Sequence, residues 1–129
     1  MKQLPEQFYT AEEYLAFERS AEMKHEFISG EIVAMAGATR EHNLITGNTA
    51  RELGNQLIGT PCETYSNDLR VGTTPGDYVY PDVVVVCEEP KFEDATFDTL
   101  LNPTVVIEVL SKTTEARDRH RECQRHRVC

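Results

Sequence analysis

No apolar run in this sequence is long enough to cross a bilayer: Val83 to Cys87 and Val105 to Ile107, the longest, fall far short of the roughly 20 residues a spanning helix needs. Met1 to Thr10 also lacks the apolar stretch of a secretory leader. Both absences point to a cytoplasmic protein with no membrane partner. Basic residues are scarce through most of the chain, with 8 Lys and Arg against 20 Asp and Glu in residues 1 to 116, inside a formal net charge of -9. Such a body has no broad phosphate-binding face, because non-specific nucleic-acid affinity comes mainly from basic side chains that neutralise phosphates. If DNA binds, a divalent metal, a local patch or a partner chain must offset that charge.

Paired C-x-x-C motifs are missing too. The four cysteines comprise Cys62 and Cys87, far apart, and Cys123 and Cys129, which flank His126 in the tail. That pattern argues against a structural zinc site and against a secreted disulfide framework, and the expectation is reduced thiols. There is no internal repeat, no low-complexity tract, and no groove-reading helix or zinc module from which sequence specificity could be read.

What remains is ordinary for one globular domain: 129 residues, 40% apolar and 27% charged. Thr10 followed by Glu13 has the order of a capping box, and Tyr14, Leu15 and Phe17 suggest a short helix after it. His25 to Met35 reads as two short strands joined at Ser29-Gly30. From Glu41 to Ile58, a stripe of Ile45, Leu53 and Leu57, widened by Leu44 and Ile58, predicts a longer helix, with Gly59 and Pro61 as stop signals. Cys62 to Val71, Tyr78 to Cys87 and Pro103 to Leu110 read as three strands, the first two joined by a turn at Thr74-Pro75-Gly76-Asp77. The valine-rich runs predict two central strands buried on both faces. Glu88 to Leu101 is expected to be an acidic connection whose Phe92, Phe97 and Leu100 cover a sheet face.

Two charges break the buried-strand pattern. Asp82 follows Pro81 at the mouth of the four-valine run, and Glu108 follows Val105-Val106-Ile107. An ionised carboxylate buried without a partner costs several kcal/mol, so it usually meets a cation, a hydrogen-bond donor or a metal. On neighbouring strands the two could share one hard divalent ion. The plainer alternative has Asp82 capping a turn after Pro81 and Glu108 pairing with an arginine such as Arg70.

The run Tyr80-Pro81-Asp82-Val83-Val84-Val85-Val86-Cys87, followed by Leu101-Asn102-Pro103-Thr104-Val105-Val106-Ile107-Glu108-Val109-Leu110-Ser111, resembles the Uma family within the PD-(D/E)XK nuclease superfamily. His25 to Val33 and His42-Asn43-Leu44-Ile45 are similar to its first hairpin and first core helix, so the likeness covers about residues 8 to 119. The resemblance implies an α/β (α+β) fold, a restriction-endonuclease-like core in which helices flank a mixed β-sheet, preceded by a helix and a β-hairpin. It implies Asp82 and Glu108 as ligands to Mg²⁺ or Mn²⁺, with the Val109 carbonyl beside them, and hydrolysis of phosphodiester bonds in DNA. A homodimer would serve to cut both strands.

The sequence departs from that pattern where the lysine should be. The standard motif places it at position 110, which is Leu110; the resemblance implies that the family takes its lysine instead from the following helix, in a stretch resembling D-R-G-x-K, begun here by Asp118-Arg119 but ending on Glu122. Lys112 is the lysine nearest to Glu108 and is the candidate for positioning the attacking water, against a solvated loop position as the alternative. His42 either approaches the site or makes a cap contact at its helix start; Glu26 and Glu31 are equally ambiguous. After Arg119 helical periodicity is lost and the charge changes sign. The expected organisation is an incomplete Uma-type domain over 1–119, with its C-terminal elements missing, and an atypical basic tail over 120–129. Three readings stay open: a metal-dependent endonuclease, a non-catalytic nuclease-fold remnant, and a nucleic-acid-binding module.

Overall fold

Thr10 starts the first helix through the capping box that its spacing to Glu13 implies. Its hydroxyl accepts from the Glu13 amide at 3.2 Å, and the Glu13 carboxylate accepts from the Thr10 amide at 2.8 Å. Two N–H groups that a helix start would leave without partners are thereby satisfied. The computed structural model describes residues 8–96 and 98–110. Within them the chain runs α1 (Ala11–Ser20), β1 (His25–Ile28), β2 (Glu31–Ala34), α2 (Arg40–Gln56), β3 (Glu63–Ser66), β4 (Arg70–Gly72), β5 (Tyr78–Val79), β6 (Val83–Val86), β7 (Thr99–Leu100) and β8 (Val105–Ile107). No helix among the described residues is long and apolar enough to cross a membrane.

The expected hairpin forms with Ile28 opposite Glu31 and His25 opposite Ala34. Its two turn residues have positive φ, 50° at Ser29 and 84° at Gly30, the conformation that lets a two-residue loop match the twist of its strands. Gly30 is needed twice over: a Cβ there would also lie 3.1 Å from the Phe8 ring.

The strands divide between two sheets, ordered β2-β1-β5-β4-β7 and β3-β6-β8. β4 and β7 run parallel and every other pair is antiparallel, which makes the fold mixed α+β. Here the structure corrects the sequence reading. Cys62 to Val71 is two strands in different sheets, β3 and β4, separated by a turn in which the Leu69 amide donates to the Ser66 carbonyl. Tyr78 to Cys87 is likewise split into β5 and β6, because Pro81 has no amide with which to continue a ladder. The acidic connection contains a strand of its own, β7, with Phe92 bridged to Leu100; Phe97 lies outside the described residues.

β6 is buried along its whole length, as expected of a central strand. By alternation Val84 and Val86 point one way, into a core with Val71, Val79 and Leu100 that joins the two sheets. β8 differs from expectation: Val105 is 46% exposed, and among the described residues β8 is the border strand of its sheet. α2 packs on β3 and β6, yet none of its residues is fully buried, and Ile45 of its apolar stripe is 52% exposed. The cysteines also differ from expectation. Glu63 pairs with Val86, so one further step of that register sets Cys62 opposite Cys87, and the two form a disulfide.

A second core lies between α1 and the hairpin, where Tyr14 stacks on Phe27 and packs against Tyr78. Its margin is polar. The Glu18 carboxylate, buried, accepts from the Tyr80 hydroxyl at 2.8 Å and from the His25 amide at 2.9 Å. Arg70, also buried, donates to the Tyr80 hydroxyl at 3.1 Å and to Thr99 at 2.9 Å, and lies 2.9 Å from an Asp98 oxygen. Arg19 completes the chain of charges by donating to Asp98 at 2.9 Å. Burial, together with the hydrogen bond to Glu18, pushes the Tyr80 phenol up to about 12, and the Arg19 guanidinium holds the Asp98 carboxyl well below its ordinary range.

Three expectations follow for stability. Gly30→Ala, strained in φ and crowded by Phe8, should cost about 1 kcal/mol in urea unfolding. Arg70→Met removes the cation that holds the Tyr80 hydroxyl, Thr99 and Asp98 and should cost about 3 kcal/mol in the same measurement. Because the folded state favours the neutral Tyr80 phenol, its contribution is complete below the ordinary tyrosine value of 10.0 and is lost as pH rises towards about 12. A Tyr80→Phe variant should therefore show a shallower fall in thermal midpoint than the wild type across that window.

Candidate metal centre

The register of β6 and β8 positions the two carboxylates. Val85 pairs with Val105, Val84 with Val106 and Val83 with Ile107. One further step of the same antiparallel register sets Asp82 opposite Glu108, the arrangement in which two side chains share a face of the pair. Beyond that step the backbone turns onto Asp82: the Val109 amide donates to Asp82 Oδ2 at 2.7 Å.

Helix α2 supplies the other contact. Its N-cap, Thr39, accepts from the His42 amide at 3.2 Å, and the His42 ring reaches back so that Nε2 stands 3.3 Å from Asp82 Oδ2. His42 thus both takes part in the cap and approaches the site, the first through its backbone and the second through its side chain. Its Nδ1 is buried and has no partner among the described residues. Asp82 itself is only 9% exposed.

Facing carboxylates repel one another unless donors or a cation intervene. Both contacts to Asp82 among the described residues fall on Oδ2. Among the described residues no group of three or more His, Cys, Asp or Glu stands in an arrangement to hold a metal. A pair of carboxylates is nonetheless the protein share that suits Mg²⁺, a hard ion that keeps several of its waters and takes one or two carboxylates. The residues present fit such an ion and do not form a closed cage.

The remaining candidates separate clearly. Arg70, offered as the ordinary partner of Glu108, is engaged instead with Tyr80, Thr99 and Asp98. Glu26 is more than a surface residue, since its carboxylate accepts from the Tyr80 amide at 3.1 Å. Leu110, where the standard motif has lysine, is partly exposed next to the site. Lys112, the Asp118-Arg119 stretch with Glu122, and Cys123, His126 and Cys129 lie outside the described residues. Sequence reasoning missed the anchoring of Tyr80 by Glu18, Glu26 and Arg70. The available signal was a buried-type polar residue immediately before Pro81-Asp82.

Comparison with known proteins agrees with this architecture. Residues 11–129 match the Uma2 family, described as "Putative restriction endonuclease". Two uncharacterized proteins of Synechocystis sp. are similar: sll1609 is 40% identical over 114 residues, 88% of this chain and 64% of that protein. The other, slr1290, is 38% identical over 109 residues, 84% of this chain and 56% of that protein. The chain therefore spans less than two thirds of the length of these curated relatives. A crystal structure from Anabaena variabilis, described as "a putative nuclease belonging to DUF820", superposes with a TM-score of 0.70 at 17% identity, over 91% of this chain and 69% of that one. At that identity the likeness shows a shared nuclease-type fold. With the match running almost from end to end, this chain belongs to the Uma2 family of restriction endonuclease-like proteins.

Proposed function

We propose that this chain carries the metal-binding core of a DNA endonuclease that hydrolyses phosphodiester bonds with Mg²⁺ or Mn²⁺. The observation that carries the reading is the β6–β8 register, which sets Asp82 opposite Glu108 and brings the Val109 amide onto Asp82. Asp82 and Glu108 would hold the ion, with the Val109 carbonyl as a backbone ligand.

When bound, a divalent ion supplies Lewis-acid polarisation of the scissile phosphate and a more acidic water. The chain's own residues do the rest. The Val109 amide donates to the Asp82 carboxylate, and the β6–β8 register, extended by one step, sets position 108 across from position 82, which brings the two ligand positions together. Lys112 is the nearest lysine in sequence to position the water for in-line attack, in which the water oxygen bonds to phosphorus as the opposite P–O bond breaks. The acidic body supplies little attraction for phosphate, so DNA contact depends on the metal, on the basic residues of 117–129, or on a second copy of the chain. A symmetric dimer would present one such site to each strand.

Leu110 favours a second reading. With no lysine at the standard position, the same fold could bind nucleic acid without turnover. That reading carries its own signature, an affinity for DNA that falls steeply with salt and needs no Mg²⁺.

Calorimetric titration of Mg²⁺ and Mn²⁺ into the wild type and Asp82→Ala, with plasmid cleavage on the same samples, separates these readings. The expected result is binding and cleavage by the wild type and loss of both in Asp82→Ala. At a metal concentration of about a hundred times Kd, the wild type should gain about 2.7 kcal/mol of stability that the variant does not. Equal cleavage by the variant, or a folded wild type that binds no metal, would overturn the metal-centre reading. Metal binding without cleavage would leave the non-catalytic reading in its place.

A further inference from the structure

His42 contributes its ring to something other than its helix. The cap bond of α2 runs from the His42 backbone amide to Thr39, a contact that any non-proline residue could make. Its imidazole is mostly buried, with one nitrogen 3.3 Å from Asp82 Oδ2 and the other without a partner among the described residues. A side chain serving only to fill that space would be expected to be apolar, since a buried polar atom without a partner is unfavourable.

Of the two neutral forms of the ring, these contacts favour one. With the proton on Nδ1, a buried N–H would have no acceptor, and the lone pair of Nε2 would face the lone pairs of Asp82. With the proton on Nε2, the ring presents a donor to Asp82 Oδ2 and leaves only a bare acceptor unmatched. Asp82 Oδ2 accepts from the Val109 amide, just past β8, and has Nε2 of the His42 ring 3.3 Å away from the side of α2, an ion-pair distance. Two polar contacts on one oxygen, approaching from different elements, restrict rotation of the carboxylate and turn its other oxygen, Oδ1, away from both.

We infer that His42 is a positioning residue of the metal centre: through Nε2–H it orients the Asp82 carboxylate so that Oδ1 meets the cation. The inference rests on the metal-centre reading above. Groups that orient a ligating carboxylate in this way commonly contribute a factor of about 10 to 100 in metal affinity. Because His42 lies on α2 while Asp82 and Glu108 adjoin the ends of β6 and β8, it also ties metal affinity to the seating of that helix.

The test is Mn²⁺ binding followed by the loss of the free-ion electron paramagnetic resonance signal. It compares the wild type, Asp82→Ala, His42→Ala and His42→Gln, each below its own thermal unfolding midpoint. His42→Ala should weaken Mn²⁺ binding by about 10- to 100-fold, and His42→Gln, whose amide keeps a donor near the Nε2 position, should recover most of it. A residue that only packs α2 would change the unfolding midpoint, and Gln would not restore affinity. Affinity in His42→Ala within about twofold of the wild type, or no recovery in His42→Gln, would overturn the inference, provided Asp82→Ala has lost binding. A wild type that binds no Mn²⁺, or an Asp82→Ala that binds as well as the wild type, would instead overturn the metal-centre reading and this inference with it.

Discussion

The hydrogen bond between the Tyr80 hydroxyl and the buried Glu18 carboxylate fixes the point at which the chain leaves one sheet for the other. Tyr80 follows β5 directly and is held from three directions: Glu18 from α1, Arg70 from β4, and Glu26 from β1 through the backbone amide. Pro81 then interrupts the ladder, and Asp82 opens onto β6. Tyr80 belongs to the structural core and Asp82 to the candidate site, with a single rigid residue between them. Any error in seating Tyr80 passes to the carboxylate with little slack in the backbone to absorb it.

Such an arrangement explains why charge can be buried here at all. Glu18 and Arg70 would each be unfavourable inside the protein alone, but between them stands a phenol that donates to one and accepts from the other. The exposed end of the network, where Arg19 and Arg70 converge on Asp98, lets the buried part reach solvent through paired charges. Asp82 is handled differently. It is buried, and among the described residues the Val109 amide and the His42 ring both approach the same oxygen, Oδ2.

Much of this was legible in the sequence because it depends on neighbours in the chain. The capping box, the Ser29-Gly30 turn and the buried valines of β6 are all local signals, and the structure places each where those signals point. The exchange between sheets was not legible, since Cys62 to Val71 and Tyr78 to Cys87 have strand-like composition throughout and nothing in composition says which sheet a strand joins. The disulfide escaped for the same reason: Cys62 and Cys87 meet only through the β3–β6 register. In the site, Asp82 and Glu108 stood out as charges among valines, whereas the reach of the His42 ring depends on how α2 seats against β6. The exposure of Val105 and Ile45 reflects tertiary cover that an apolar pattern implies but cannot supply.

The Cys62–Cys87 bridge closes the chain into a covalent ring that contains β3, β4, β5 and β6, and therefore two of the crossings between the sheets, β3 to β4 and β5 to β6. The most accessible part of that ring is the Thr74-Pro75-Gly76 turn, the kind of tip that proteases favour. A cut there would open the ring without releasing either half. The two sheets would stay tethered, and the piece carrying Asp82 would remain attached to the piece carrying His42, so a nicked molecule need not become two.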